Sequence, residues 1–105
     1  MFALVSHCLA APDFEKLADA IYIAEGGTNT SHPYGIMAKY KTTTPRQACI
    51  NTCRHAWADF KGKEKDYLNF LADRYCPPRS DPKGNANWKK NVPKFYNQAL
   101  TAAAK

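Results

Sequence analysis

Phe14, Leu17, Ala18 and Ile21 recur at i, i+3, i+4 and i+7, the pattern of a helix with one apolar stripe that must be buried against a neighbour. Four residues further on, the stripe lands on Glu25, and Gly26-Gly27 break the helix directly afterwards. Thr44-Pro45 supplies an N-cap and a first-turn proline for a second helix. Its face is Ile50, Cys53, Trp57 and Phe60, and Lys61-Gly62-Lys63 ends it. The pattern predicts a third helix from about Glu64 to Tyr75, burying Tyr67, Leu68, Leu71 and Tyr75. A last helix carries Val92, Phe95, Tyr96, Ala99 and Leu100. Pro93 fits its first turn if Asn91 is the cap, whereas a start at Trp88 predicts a kink.

Between the first two helices, Gly26 to Pro33 reads as a polar, turn-rich loop. Tyr34, Ile36, Ala38 and Tyr40 then alternate with Gly35, Met37, Lys39 and Lys41, as in a short strand or hairpin arm. Cys76 to Asn85, with three prolines, reads as a rigid loop. The expected fold is mainly α: a small helical domain with a short β-like loop after the first helix.

A chain of 105 residues with 45% hydrophobic and 23% charged side chains suits one globular domain. Residues 1–11 read either as a truncated signal peptide or as an N-terminal arm, and 12–105 as the domain. No apolar run is long enough for a transmembrane helix. The net charge of +6 suits an anionic partner such as bacterial cell wall, nucleic acid or an acidic membrane surface. The four cysteines permit disulfides: Cys49 and Cys53 share a helix face, and each is placed to pair with Cys76 or to pack as a small hydrophobe. Cys49, Cys53 and His55 lack the spacing and the second pair of a zinc site, so neither a metal nor a cofactor is expected.

The chemistry centres on Glu25. A carboxyl group on an apolar stripe at a helix C-terminus is disfavoured as an anion by burial and by the helix dipole. An acid that keeps its proton near neutral pH can protonate a leaving oxygen. The bland alternative is a terminal Glu turned outward to water.

The segment Ala24-Glu25-Gly26-Gly27, followed by Tyr34-Gly35-Ile36-Met37 and by Tyr96-Asn97, resembles the lysozyme-like superfamily, most closely its lytic transglycosylases. Gly26 stands where that family usually has Ser, and Ala38 replaces the glutamine of its cleft motif. The resemblance implies an α+β lysozyme-like fold, with Glu25 as catalytic acid and Tyr96 orienting it. It further implies sugar subsites lined by Thr28, Tyr34, Gly35, Met37, Asn91 and Asn97. The substrate implied is a peptidoglycan glycan strand, met by a monomer in the periplasm, outside the cell or by phage delivery.

No Asp or Glu occurs between Glu25 and Asp59. Hydrolytic glycosidases normally flank the bond with two carboxyl groups. By the resemblance, a lytic transglycosylase uses one, because the muramic acid 6-hydroxyl closes a 1,6-anhydro ring. A hydrolytic lysozyme would need its second carboxylate from Asp59, Glu64 or Asp66. Trp88, among asparagines and lysines, is expected to be exposed and to stack on a sugar, or to pack in a loop. Tyr96 also sits on an apolar face, where a core tyrosine would stand. Lys89, Lys90 and Lys94 form either a solvated face or a hold for an anionic glycan. A non-catalytic cell-wall or nucleic-acid binder is the rival class, although no nucleic-acid fold signature is present.

Overall fold

The computed structural model describes residues 11–36, 41–61 and 66–103, and four α-helices make up most of them. Helix α1 spans Phe14–Ala24, α2 Pro45–Phe60, α3 Tyr67–Tyr75 and α4 Pro82–Ala103. The mainly helical expectation holds, and no strand occurs among the described residues.

Each helix begins at a side-chain cap, which satisfies N–H groups that the helix itself cannot. Asp13 accepts from Lys16 N–H at 3.1 Å and Thr44 from Gln47 N–H at 3.1 Å. Asp66 accepts from Asn69 N–H at 2.9 Å and Asp81 from Gly84 N–H at 2.9 Å. Asp66 places the start of α3 at Tyr67, later than the expected Glu64, which lies outside the described residues. Asp81-Pro82 corrects the reading of α4 more substantially. Cap and first-turn proline start this helix before Gly84 and Asn85, residues expected in the loop, so Pro93 falls in its interior. There Pro93 has no N–H to offer the Lys89 carbonyl.

The expected strand at residues 34–40 is also corrected where it is described. Pro33–Gly35 is a 3-10 turn in which Tyr34 and Gly35 both have positive φ, 63° and 69°. Residues 37–40 lie outside the described residues. A second 3-10 turn, Gly27–Asn29, follows α1, and Gly26 leaves the helix at φ 111°.

The helices close a ring. Each packs on its sequence neighbours, and α4 returns to pack on α1, the most extensive of these interfaces. Leu17, Ile21, Leu71 and Val92 are fully buried at the centre, each stabilising the fold by about 1.5–3 kcal/mol relative to exposure. Arg46, in the first turn of α2, reaches Asp19 at 2.7 Å and Glu15 at 3.0 Å on α1. Lys89 of α4 pairs with Asp73 of α3 at 2.9 Å. No described helix is long and apolar enough to cross a membrane.

Helices α1 and α4 run antiparallel. The Tyr96 hydroxyl, late in α4, accepts from Asp13 N–H at the start of α1 at 2.9 Å. The end of α1, in contrast, shares a pocket with Gly84, Asn87, Trp88 and Asn91, early in α4. Tyr96→Phe should therefore cost about 0.5–1 kcal/mol of stability in urea denaturation and leave the Glu25 carboxyl, at the far end of α1, undisturbed. A variant as stable as the parent would contradict this structural role.

Candidate functional site

Glu25 is the C-cap of α1, and its N–H still donates to Ile21 O at 2.9 Å. Its side chain continues the apolar stripe, as the periodicity requires, and is half-buried. Burial raises its pKa above the ordinary 4.5. Gly35 lies against the carboxyl group: a Cβ built there would stand 3.1 Å from the Glu25 Cδ and 3.2 and 3.3 Å from the two oxygens. With φ at 69°, position 35 favours glycine for its backbone as well as for the space. On another side, an open pocket of about 180 Å³ is lined by Ala24, Glu25, Gly84, Asn87, Trp88 and Asn91. Asn87 and Asn91 bring amides that both donate and accept hydrogen bonds.

Among the described residues, Glu25 is the one carboxyl group with no hydrogen bond or ion pair. Asp13, Asp66 and Asp81 cap helices. Glu15 and Asp19 bind Arg46, Asp59 binds Arg74 at 2.8 Å, and Asp73 binds Lys89. Arg74 holds the Asp59 carboxyl below its usual range. Of the three carboxylates expected as possible second groups, Asp59 and Asp66 are thus engaged elsewhere, and Glu64 lies outside the described residues. A carboxylate that adjoins a residue of the pocket wall is instead Asp81. It packs on Gly84, where a Cβ would come within 2.2 Å of its Oδ2.

Several expected site residues stand in other roles. Tyr96 is at the opposite end of α1 from Glu25 and does not orient it. Twelve residues of helical rise separate Asp13 from Glu25, roughly 18 Å. Asn97 follows it, exposed, in a separate open depression of about 330 Å³ with Gln98, Thr101 and Ala102. Trp88 is not an exposed sugar platform: it is 4% exposed and packs on Tyr75, ring centroids 5.7 Å apart. The helical period counted from Pro82 puts Trp88 on the buried stripe with Asn85 and Val92. Tyr34 is buried against Tyr22 at 5.1 Å, so its ring belongs to the core and not to a subsite. Thr28 lies exposed on the turn after Glu25. Met37 is outside the described residues. Glu25, Gly35, Trp88 and Asn91 are the expected residues that the fold brings together, Trp88 as a buried wall of the pocket.

Cys49, Cys53 and Cys76 are free thiols, which corrects the expected disulfide. Cys49 and Cys53 are fully buried in the core, while Cys76 turns toward Asp81, its Sγ 4.0 Å from Oδ2. Burial, then Asp81 and Glu25, push the Cys76 thiol up. No group of three His, Cys, Asp or Glu that could hold a metal ion occurs among the described residues.

The sequence reading passed over Gly84, Asn87 and Asp81, all at or near the first turns of α4. The signal was present as Asp81-Pro82, a cap followed by an N1 proline, the same pair of roles that Thr44-Pro45 fills for α2. Comparison of the chain with known protein families, with curated proteins and with solved structures finds no match.

Proposed function

We propose that this chain is a peptidoglycan lytic transglycosylase that breaks the β-1,4 bond between muramic acid and N-acetylglucosamine. The observation that carries this reading is Glu25: an unpaired, half-buried carboxyl with a raised pKa, opening on a pocket with two amide side chains. Protonated Glu25 gives its proton to the glycosidic oxygen as the bond from that oxygen to C1 breaks. The resulting carboxylate takes the proton of the muramic acid 6-hydroxyl as O6 bonds to C1. The anhydro ring closes, water is not consumed, and Glu25 is again protonated. The net charge of +6 supports an anionic wall polymer as partner, and the substrate puts the site of action in the periplasm or outside the cell.

Asp81, which packs on Gly84 of the pocket wall, favours one alternative, hydrolysis with Asp81 as the second carboxylate. Two measurements separate the readings. Transglycosylation releases muropeptides with 1,6-anhydromuramic acid ends, one water lighter than hydrolytic products and free of oxygen from labelled water. Asp81→Asn keeps a cap of equal quality, so under transglycosylation it retains activity. Reducing ends that carry labelled oxygen, together with loss of activity in Asp81→Asn, would replace the proposal by a hydrolase.

A further inference from the structure

Gly35 reaches the Glu25 carboxyl from a turn that has no helix to hold it, and its neighbour Tyr34 occupies a positive φ of 63° without being glycine. Such a conformation is strained and persists only where the surroundings impose it. Two side chains bind Tyr34 directly. The Tyr75 hydroxyl, from the last turn of α3, donates to the Tyr34 carbonyl. Arg46 donates to the Tyr34 hydroxyl at 3.3 Å. The carbonyl belongs to the peptide that joins Tyr34 to Gly35, so the Tyr75 bond acts on the unit lying against Glu25.

Tyr75 is itself held. Its ring packs on Trp88, centroids 5.7 Å apart, and its one phenolic proton goes to the Tyr34 carbonyl. Burial also raises the Tyr75 phenol, which keeps the proton this bond needs.

We propose that Tyr75 is a positioning residue: through the Tyr34 carbonyl it holds the Gly35 peptide against the Glu25 carboxyl and shields that face from water. Its effect on catalytic rate rests on the reading of Glu25 as the working acid, whereas its effect on Glu25 itself does not. Two groups beside Tyr75, the Cys49 thiol on α2 and the Cys76 thiol on α3, also sense the Glu25 charge, as does Tyr75. Asp81 lies beyond Cys76, and Arg46 lies behind Tyr34 with Glu15 and Asp19.

The test is the titration of the Glu25 carboxyl carbon by NMR in the substrate-free protein. Tyr75→Phe removes one hydroxyl and keeps the ring that packs on Trp88. The Glu25 midpoint should move down toward 4.5, and the Gly35 amide, which donates to His32 O, should exchange about tenfold faster or more. Arg46→Met, which frees the far end of the Tyr34 ring and breaks the ion pairs to Glu15 and Asp19 but keeps the bond to the Tyr34 carbonyl, should leave the midpoint in place. A Tyr75→Phe protein with an unchanged Glu25 midpoint overturns the proposal, as does an equal shift in Arg46→Met. Failure of Tyr75→Phe to fold overturns it too, since the hydroxyl would then serve the core and not the turn. If Glu25→Gln proves fully active while Tyr75→Phe shifts the midpoint, the positioning role stands and the catalytic reading falls.

Discussion

Replacing Glu25 by Gln is expected to leave a folded protein that has lost about 10²–10⁴-fold in peptidoglycan cleavage and yet melts higher than the parent at neutral pH. The two effects share one cause. Burial raises the Glu25 pKa above 4.5, so the fold prefers the neutral form. Below 4.5 the carboxyl is protonated in both folded and unfolded chains and costs nothing. As pH rises from there through the folded-state value, the unfolded chain releases the proton first, and the parent loses stability. Gln has no proton to release. The difference in melting temperature should therefore be near zero below pH 4.5, open with rising pH, and level off above the folded-state pKa. Glu25 is only half-buried, and water screening keeps this difference small. A variant that cleaves peptidoglycan at the parent rate sinks the catalytic assignment. A melting difference that is independent of pH sinks the burial argument, whatever happens to the rate.

Gly84→Ala should produce the largest loss of stability for the smallest change. Helix propensity alone predicts a gain, since alanine in a helix is better than glycine by about 1 kcal/mol. The structure predicts the opposite sign. A Cβ at position 84 would stand 2.2 Å from Asp81 Oδ2, 2.7 Å from its Cγ and 3.0 Å from Cys76 Sγ. Asp81 cannot move away and still accept the N–H of residue 84, so the cap of α4 is lost at about 1–2 kcal/mol. Crowding Cys76 adds about 1–3 kcal/mol. The net expectation is destabilisation by about 1–4 kcal/mol, read from the midpoint of urea denaturation. Activity should fall with it, because Gly84 and the first turns of α4 form one wall of the Glu25 pocket. A variant as stable as the parent, or more so, would mean that the start of α4 is not built as described.

What could be read from the residues divides along physical lines. Helix α1 was legible because its stripe is regular and the glycines after it are unambiguous; the same stripe put Glu25 on the inner face. Helix α2 was legible because Thr44-Pro45 is a strong local signal. The start of α4 was equally marked by Asp81-Pro82, but prolines at 77, 78 and 82 and a glycine at 84 outweighed it, and the helix was expected too late. Misplacing that start left the first turns out of the helix, although the later face, Val92, Phe95 and Tyr96, was read in phase. Trp88 then looked like a surface residue among polar neighbours, although counting from Pro82 buries it. Tyr96-Asn97 failed for a different reason. A dipeptide matched to a family motif carries no information about which end of an antiparallel partner it will meet, and α4 delivers it to Asp13. Gly35 was noticed for its place in a motif, while its contact with Glu25 depends on a turn conformation that no periodicity encodes. Tyr75 was read as core, which it is; the hydrogen bond that makes it more than that is a matter of three-dimensional placement.

The pairing of α1 with α4 also bears on when the protein becomes competent. The pocket draws one wall from the end of α1 and the other from the first turns of α4, and α4 is the last of the four helices to leave the ribosome. The ring of helices closes only across the whole intervening chain, a late and entropically costly contact. A nascent chain that has made α1 to α3 already carries Glu25, but with half its pocket missing and the buried face of α1 uncovered. That order of assembly acts as a timer, withholding a complete pocket until synthesis has passed α4.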